Sequence, residues 1–119
     1  MKPIILCLIC VLWISVAQAT QPVSHVVVLW FKPGTPAEDI AAAGEQADML
    51  KQIEGVIGVR QGSAMASDRS HVDDSFDLGL LISFESETAM RAYVSDPVHK
   101  AYVKRYINGR VEKLLVYDF

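Results

Sequence analysis

The sequence predicts an α+β fold built on one antiparallel sheet with helices on one of its faces. Three observations carry that expectation. Strand-like and helix-like segments follow one another in the order β-α-β-β-α-β. The strand-like segments alternate or run apolar with the β-branched and aromatic residues that a pleated surface takes. The chain has 119 residues, enough for one domain and too few for two.

The first strand is read over Val23 to Phe31, rich in valine and aromatic residues. Val27, Leu29 and Phe31 fall on one face and Val26, Val28 and Trp30 on the other, so both faces need cover. Lys32-Pro33-Gly34 reads as a turn. A helix is expected to follow, with Thr35 as N-cap, Pro36 at the first helical position and Glu38 closing a capping box. Ile40, Ala43, Ala47, Leu50 and Ile53 recur at helical spacing, which carries the helix to about Glu54, where Gly55 stops it.

Val56 to about Gln61 reads as the second strand, reaching to Met65 at most, and Ser67 to Ser75 as a polar loop. Phe76, Leu78, Leu80, Ile82 and Phe84 alternate with Asp77, Gly79, Leu81 and Ser83 and predict a third strand over Phe76 to Phe84. Ser86 is placed to cap a short helix through Val94. Asp96-Pro97 restarts a helix, with Asp96 as N-cap, and Asn108-Gly109 ends it after Ile107. Val111 to Tyr117 is the last strand. This order is the ferredoxin-like pattern, in which the helices cover only one sheet face. No further element remains to cover the other face, so a second copy of the sheet is expected there, which predicts a homodimer.

The first 19 residues stand apart from this domain, which is read over residues 20–119. Lys2 precedes an apolar run from Ile4 to Val16, and Ala17-Gln18-Ala19 has the small-x-small pattern of a cleaved secretory signal. The expectation is an exported protein, periplasmic or secreted, beginning at Thr20. Cys7 and Cys10 would leave with the signal, so the mature chain would have no disulfide. Of the 11 basic residues only Lys2 leaves, so 10 remain against 14 acidic ones, a net charge of −4. With no basic stripe and no aromatic–basic interleaving, neither nucleic acid nor a membrane surface is an expected partner.

Four segments carry a resemblance to a known family. His25 through Thr35, Phe76-Asp77-Leu78 with Ser83 to Ser86, Ala92 through His99, and Val116 to Phe119 occur in the order found in the Dabb family. Together they span nearly all of the chain from Ser24. The chain thus resembles the stress-responsive dimeric α/β-barrel domain. That resemblance implies a ferredoxin-like monomer and a dimer whose two sheets form a barrel. It also implies cofactor-free chemistry of the kind run by a plant branch of polyketide cyclases, which use a histidine and a tyrosine in an apolar pocket. By position those residues are His99 and Tyr93, with His25 at the mouth of the first strand. Where the cyclases place a further histidine early in the third strand, this chain has Leu78.

On the residues themselves, His99 sits about one turn into the helix that starts at Asp96-Pro97, in place for a general base toward an acidic C–H of a carbonyl compound. Tyr93 offers a hydroxyl to a developing enolate oxygen. In an unbroken helix six residues would leave the two side chains about 120° apart. The break at Asp96-Pro97 lets both turn toward one cavity. His25, Phe76, Leu78 and Leu80 are the expected ligand-binding residues around them. Each has a plainer reading: a helix-start histidine, a tyrosine packed on the sheet, a strand-entry histidine, and core. His71 lies near Asp68, Asp73 and Asp74, but the spacing fits no metal-ligand motif, and no metal is expected. No phosphate-binding glycine loop or nucleophile elbow is present, and no cofactor is expected. The expected partner is a small hydrophobic or aromatic molecule bearing a carbonyl. The alternatives are a cyclase, lyase or monooxygenase-like enzyme without cofactor, and a haem-binding variant with His99 as axial ligand.

Overall fold

The structure, a computed structural model, describes residues 20–119; the expected signal at residues 1–19 lies outside the described residues. Strand β1 spans Val23–Phe31, β2 Val56–Gly62, β3 Leu78–Phe84 and β4 Val111–Asp118. Helix α1 spans Ala37–Gln46 and tightens into a 3-10 segment over Ala47–Gln52. Helix α2 spans Glu87–Ser95, and α3 spans Pro97–Tyr102 before widening into a π-helical turn over Val103–Ile107. The four strands form one sheet in the order β2-β3-β1-β4, every neighbouring pair antiparallel. This is the ferredoxin-like fold that the order of segments implies.

The helices lie on one face of the sheet. Val27, Leu29 and Phe31 of β1 and Leu78, Leu80, Ile82 and Phe84 of β3 meet Ala43, Ala47, Leu50 and Ile53 there. Small residues let α1 lie close. A Cβ built on Gly44 would stand 2.5 Å from the Gln61 side chain and 3.2 Å from Leu78. The first helical region ends earlier than expected, at Gln52, where Ile53 turns extended with a ψ of 131°. Gly55 instead takes a φ of +84°, a left-handed conformation that favours glycine, in the turn closed by Val56 N on the Ile53 carbonyl at 3.2 Å.

The start of α1 corrects the expected capping box. Pro36 adopts an extended ψ of 141° and is itself the N-cap, with no side-chain bond to the helix. The Thr35 hydroxyl instead donates to the Lys32 carbonyl at 2.7 Å and closes the preceding turn. The other two caps form as expected: the Ser86 hydroxyl accepts from Ala89 N at 3.1 Å, and the Asp96 carboxylate accepts from Val98 N at 2.8 Å.

The third strand begins later than its alternation suggests. Asp77 still donates its N–H to the Leu29 carbonyl at 2.9 Å. Its side chain, however, accepts from Phe31 N at 2.7 Å, taking the place of a strand partner. Phe76 is therefore outside the strand, and the two-residue period no longer dictates its face. It packs edge-on against Trp30, with ring centroids 6.4 Å apart, on the face away from the helices. That open face also carries Val26 opposite Leu81 and Tyr117, and Val28 opposite Leu115.

Candidate functional site

Antiparallel pairing brings the start of β1 beside the end of β4 and the end of β3. His25 stands opposite Asp118 on one side and Ile82 on the other. Helices α2 and α3 cross this end of the sheet. Between them and β1 and β4 lies a half-open cavity of about 230 Å³. Its polar end is made by His25, Tyr93 and His99, and its walls by Val27, Leu29, Leu80, Ile82, Tyr102, Val103, Ile107, Leu114 and Val116. The volume lies below the range usual for drug-sized ligands, so the cavity suits a small molecule.

The break between α2 and α3 positions two of the polar groups. Asp96 takes an extended ψ of 137°, which stops α2 and leaves the Val94 carbonyl near its end without a continuing helical partner. His99, in the first turn of α3, fills that vacancy: its Nδ1 lies 3.2 Å from Val94 O. A carbonyl only accepts, so Nδ1 carries the proton and Nε2 is left with a free lone pair. Burial pushes His99 below its ordinary value. The Val94 bond and Asp96 oppose that fall, and nearby His25 adds to it. His99 is accordingly a neutral base near pH 7.

Tyr93 is the hub of the site. It is buried on the inward face of α2, its ring 4.4 Å from His99, 4.9 Å from Phe84 and 5.8 Å from His25, centroid to centroid. Burial, then the neighbouring Tyr102, holds its hydroxyl well above the usual tyrosine range, so it stays a protonated donor. The Tyr102 hydroxyl is spoken for. It donates to the Ala43 carbonyl at 2.6 Å and ties α3 to α1. The π-helical turn, in which Asn108 N reaches back to Val103 O at 2.8 Å, sets Val103 and Ile107 over the apolar end.

Of the residues expected to form the site, His25, Leu80, Tyr93 and His99 line this cavity together, and Phe76 and Leu78 do not. Phe76 is on the opposite sheet face for the reason given above. Leu78 is buried on the correct face, but β3 runs antiparallel to β1, so Leu78 sits at the far end from His25, beneath Ile40 and Ala41 of α1. Asp118 is a polar neighbour of the site that sequence reasoning did not single out. Its carboxylate Oδ1 lies 2.5 Å from His25 Nδ1. A pairing of β1 with β4 would have suggested it, since both residues lie at the strand ends that such a pairing joins.

Comparison with known proteins agrees with this architecture. A crystal structure of an Arabidopsis thaliana protein is 26% identical, with a TM-score of 0.69 over 82% of this chain and 92% of that one. A dimeric protein of unknown function from Bacteroides fragilis, with a ferredoxin-like fold, is 18% identical, with a TM-score of 0.67 over 82% and 94%. The hydroxynitrile lyase of Passiflora edulis is 17% identical, with a TM-score of 0.71 over 83% and 92%. None of the curated proteins matches the chain significantly. Residues 23–119 match the Stress responsive A/B Barrel Domain, and with four-fifths of the sequence inside that match the chain belongs to the Dabb family.

Proposed function

We propose that this protein is an exported homodimer that binds a small hydrophobic or aromatic carbonyl-bearing molecule in the cavity of each protomer. The observation that carries the reading is the cavity itself. Thirteen residues line it, and its polar groups converge at one end around Tyr93 while the rest of the wall is apolar. The Tyr93 hydroxyl is a donor suited to a carbonyl oxygen. Dimerisation through the open sheet face is supported by Val26, Val28, Leu115 and Tyr117, which share that face with no helix or strand of the described residues packed over it, and by the dimeric Bacteroides fragilis neighbour. Export rests on the N-terminal signal pattern alone. Intact mass of the exported protein tests it, with a chain beginning at Thr20 as the expected result.

A second reading, proton transfer at carbon, is favoured by one feature: neutral His99, its Nδ1 held by the Val94 carbonyl, has its ring 4.4 Å from that of Tyr93 in the same cavity. His99 Nε2 would take a proton from the carbon next to the carbonyl. The C–H electron pair would move into the enolate, whose oxygen Tyr93 would hydrogen-bond, and the imidazolium would return a proton to carbon. The Passiflora edulis neighbour is a hydroxynitrile lyase, so this architecture does host an enzyme.

Both readings are tested with benzoylacetone and acetophenone as probes. Saturable NMR shifts of the Leu80 and Ile82 methyl groups are expected on titration, and native mass spectrometry of freshly purified protein reports any small molecule already held. No saturable shift from either probe at about millimolar concentration, a free energy near 4 kcal/mol, would overturn the binding reading. Exchange of the probe's carbon-bound protons in D₂O reads the chemistry. If it is catalysed, His99→Ala lowers it by roughly 10²-fold or more and Tyr93→Phe by less. If the protein only binds, both changes weaken affinity modestly and no exchange above background occurs.

A further inference from the structure

The contact between His25 and Asp118 is built into the sheet. The two residues face each other across the β1–β4 pairing. The neighbouring Ser24 and Phe119 exchange two backbone hydrogen bonds, of 2.6 and 3.0 Å, which pin the register at this end. The carboxylate side chain is 43% exposed and the imidazole 12%, so the pair runs from the rim inward. An ionised carboxylate only accepts, so the ring proton sits on Nδ1, and Nε2, on the other side of the ring, is the nitrogen without a partner among the described residues. His25 lines the cavity, edge-on to Tyr93 and to Phe84. His99 is held in the same sense, by Nδ1 on the Val94 carbonyl.

We propose that Asp118 is a positioning residue of the cavity: it locks His25 in the Nδ1–H tautomer, so that His25 and His99 present two free Nε2 acceptors beside the single donor hydroxyl of Tyr93. The ligand class follows by complement. A molecule satisfying this end must bring a hydrogen-bond donor for an imidazole nitrogen and an acceptor for the tyrosine. A hydroxycarbonyl compound does so, as does the enol form of a 1,3-dicarbonyl. A simple ketone has only the acceptor and leaves the imidazoles unserved. This inference rests on reading the cavity as a ligand site.

The protein has three histidines, so long-range ¹H–¹⁵N spectra of the imidazoles resolve each of them. In wild-type protein at mildly alkaline pH, His25 is expected as the Nδ1–H tautomer. Asp118→Ala should convert it to the Nε2–H form that an unconstrained histidine favours. Asp118→Asn, which keeps an acceptor oxygen, should retain Nδ1–H, and His99 should stay Nδ1–H in all three proteins. That last signal also certifies that each variant is folded. His25 found as Nε2–H in the wild type, or unchanged in Asp118→Ala, overturns the proposal. Benzoylacetone, largely enolic, should bind more tightly than acetophenone and lose about tenfold in affinity in Asp118→Ala, the worth of one good hydrogen bond. A tautomer switch with no binding of either probe would leave the positioning role standing and sink the ligand-site reading instead.

Discussion

Removing the Tyr102 hydroxyl tests how the two helical layers over the cavity are held together. Where α1 tightens into its 3-10 segment, the Ala47 N–H turns to the Gly44 carbonyl instead of continuing the α-helical pattern to Ala43. The Ala43 carbonyl, deep in the core, would be orphaned without the 2.6 Å bond from Tyr102. Burial, then Tyr106, holds the Tyr102 hydroxyl above the usual tyrosine range, so it remains a donor throughout neutral pH. Tyr102→Phe keeps the ring and removes one oxygen, leaving a buried acceptor unsatisfied. The expected loss is about 1–3 kcal/mol. In a domain of this size that lowers the melting temperature by roughly 5–20 °C. Urea unfolding followed by circular dichroism, at one fixed protein concentration because dimerisation would shift the midpoint, measures it. Tyr106→Phe is the control, since that tyrosine is only partly buried and stacks on Tyr102 at 5.5 Å without a hydroxyl bond among the described residues. A loss below about 0.5 kcal/mol for Tyr102→Phe, or an equal loss in both variants, would refute the argument.

Three further outcomes are expected. Gly55→Ala forces a side chain into a φ of +84° with its Cβ 2.4 Å from that of Ala89, and should cost at least about 2 kcal/mol in the same urea experiment; a neutral result would mean the turn can re-form elsewhere. The lowered His99 means that the native state binds fewer protons than the unfolded chain just below pH 6.5. Stability should therefore be full above that pH, decline as pH falls toward the depressed native value, and decline less in His99→Gln; identical pH profiles of wild type and variant would contradict this. Val28→Arg places a charge on the open sheet face opposite Leu115, where a partner sheet would desolvate it, so light scattering should show wild-type dimer and variant monomer; a monomeric wild type at micromolar concentration rules out the dimer.

The part of the candidate site legible in the sequence is the part made locally. Asp96-Pro97 specifies a helix break within two residues, through a carboxylate cap and a fixed φ, and that break turns Tyr93 and His99 to one cavity. Ser86 and the valine run of β1 are likewise signals that act over a few residues, and each forms the element it specifies, whereas Gly55 marks the turn after the helix and the extended Ile53 ends the helix itself. Phe76 escaped the same logic because a single side-chain bond, from Phe31 N to Asp77, replaced a strand contact and released the two-residue period.

Capping, proline geometry and strand alternation thus determined the elements, their order and the face each presents. Tertiary structure decided which strand ends meet. His25 and Asp118 are 93 residues apart, and Leu78 shares a face with Leu80 yet lies at the wrong end of the sheet. Local preferences carry no information about such distances, because register is set by which non-local contacts together bury the most apolar surface and leave the fewest polar groups unpaired.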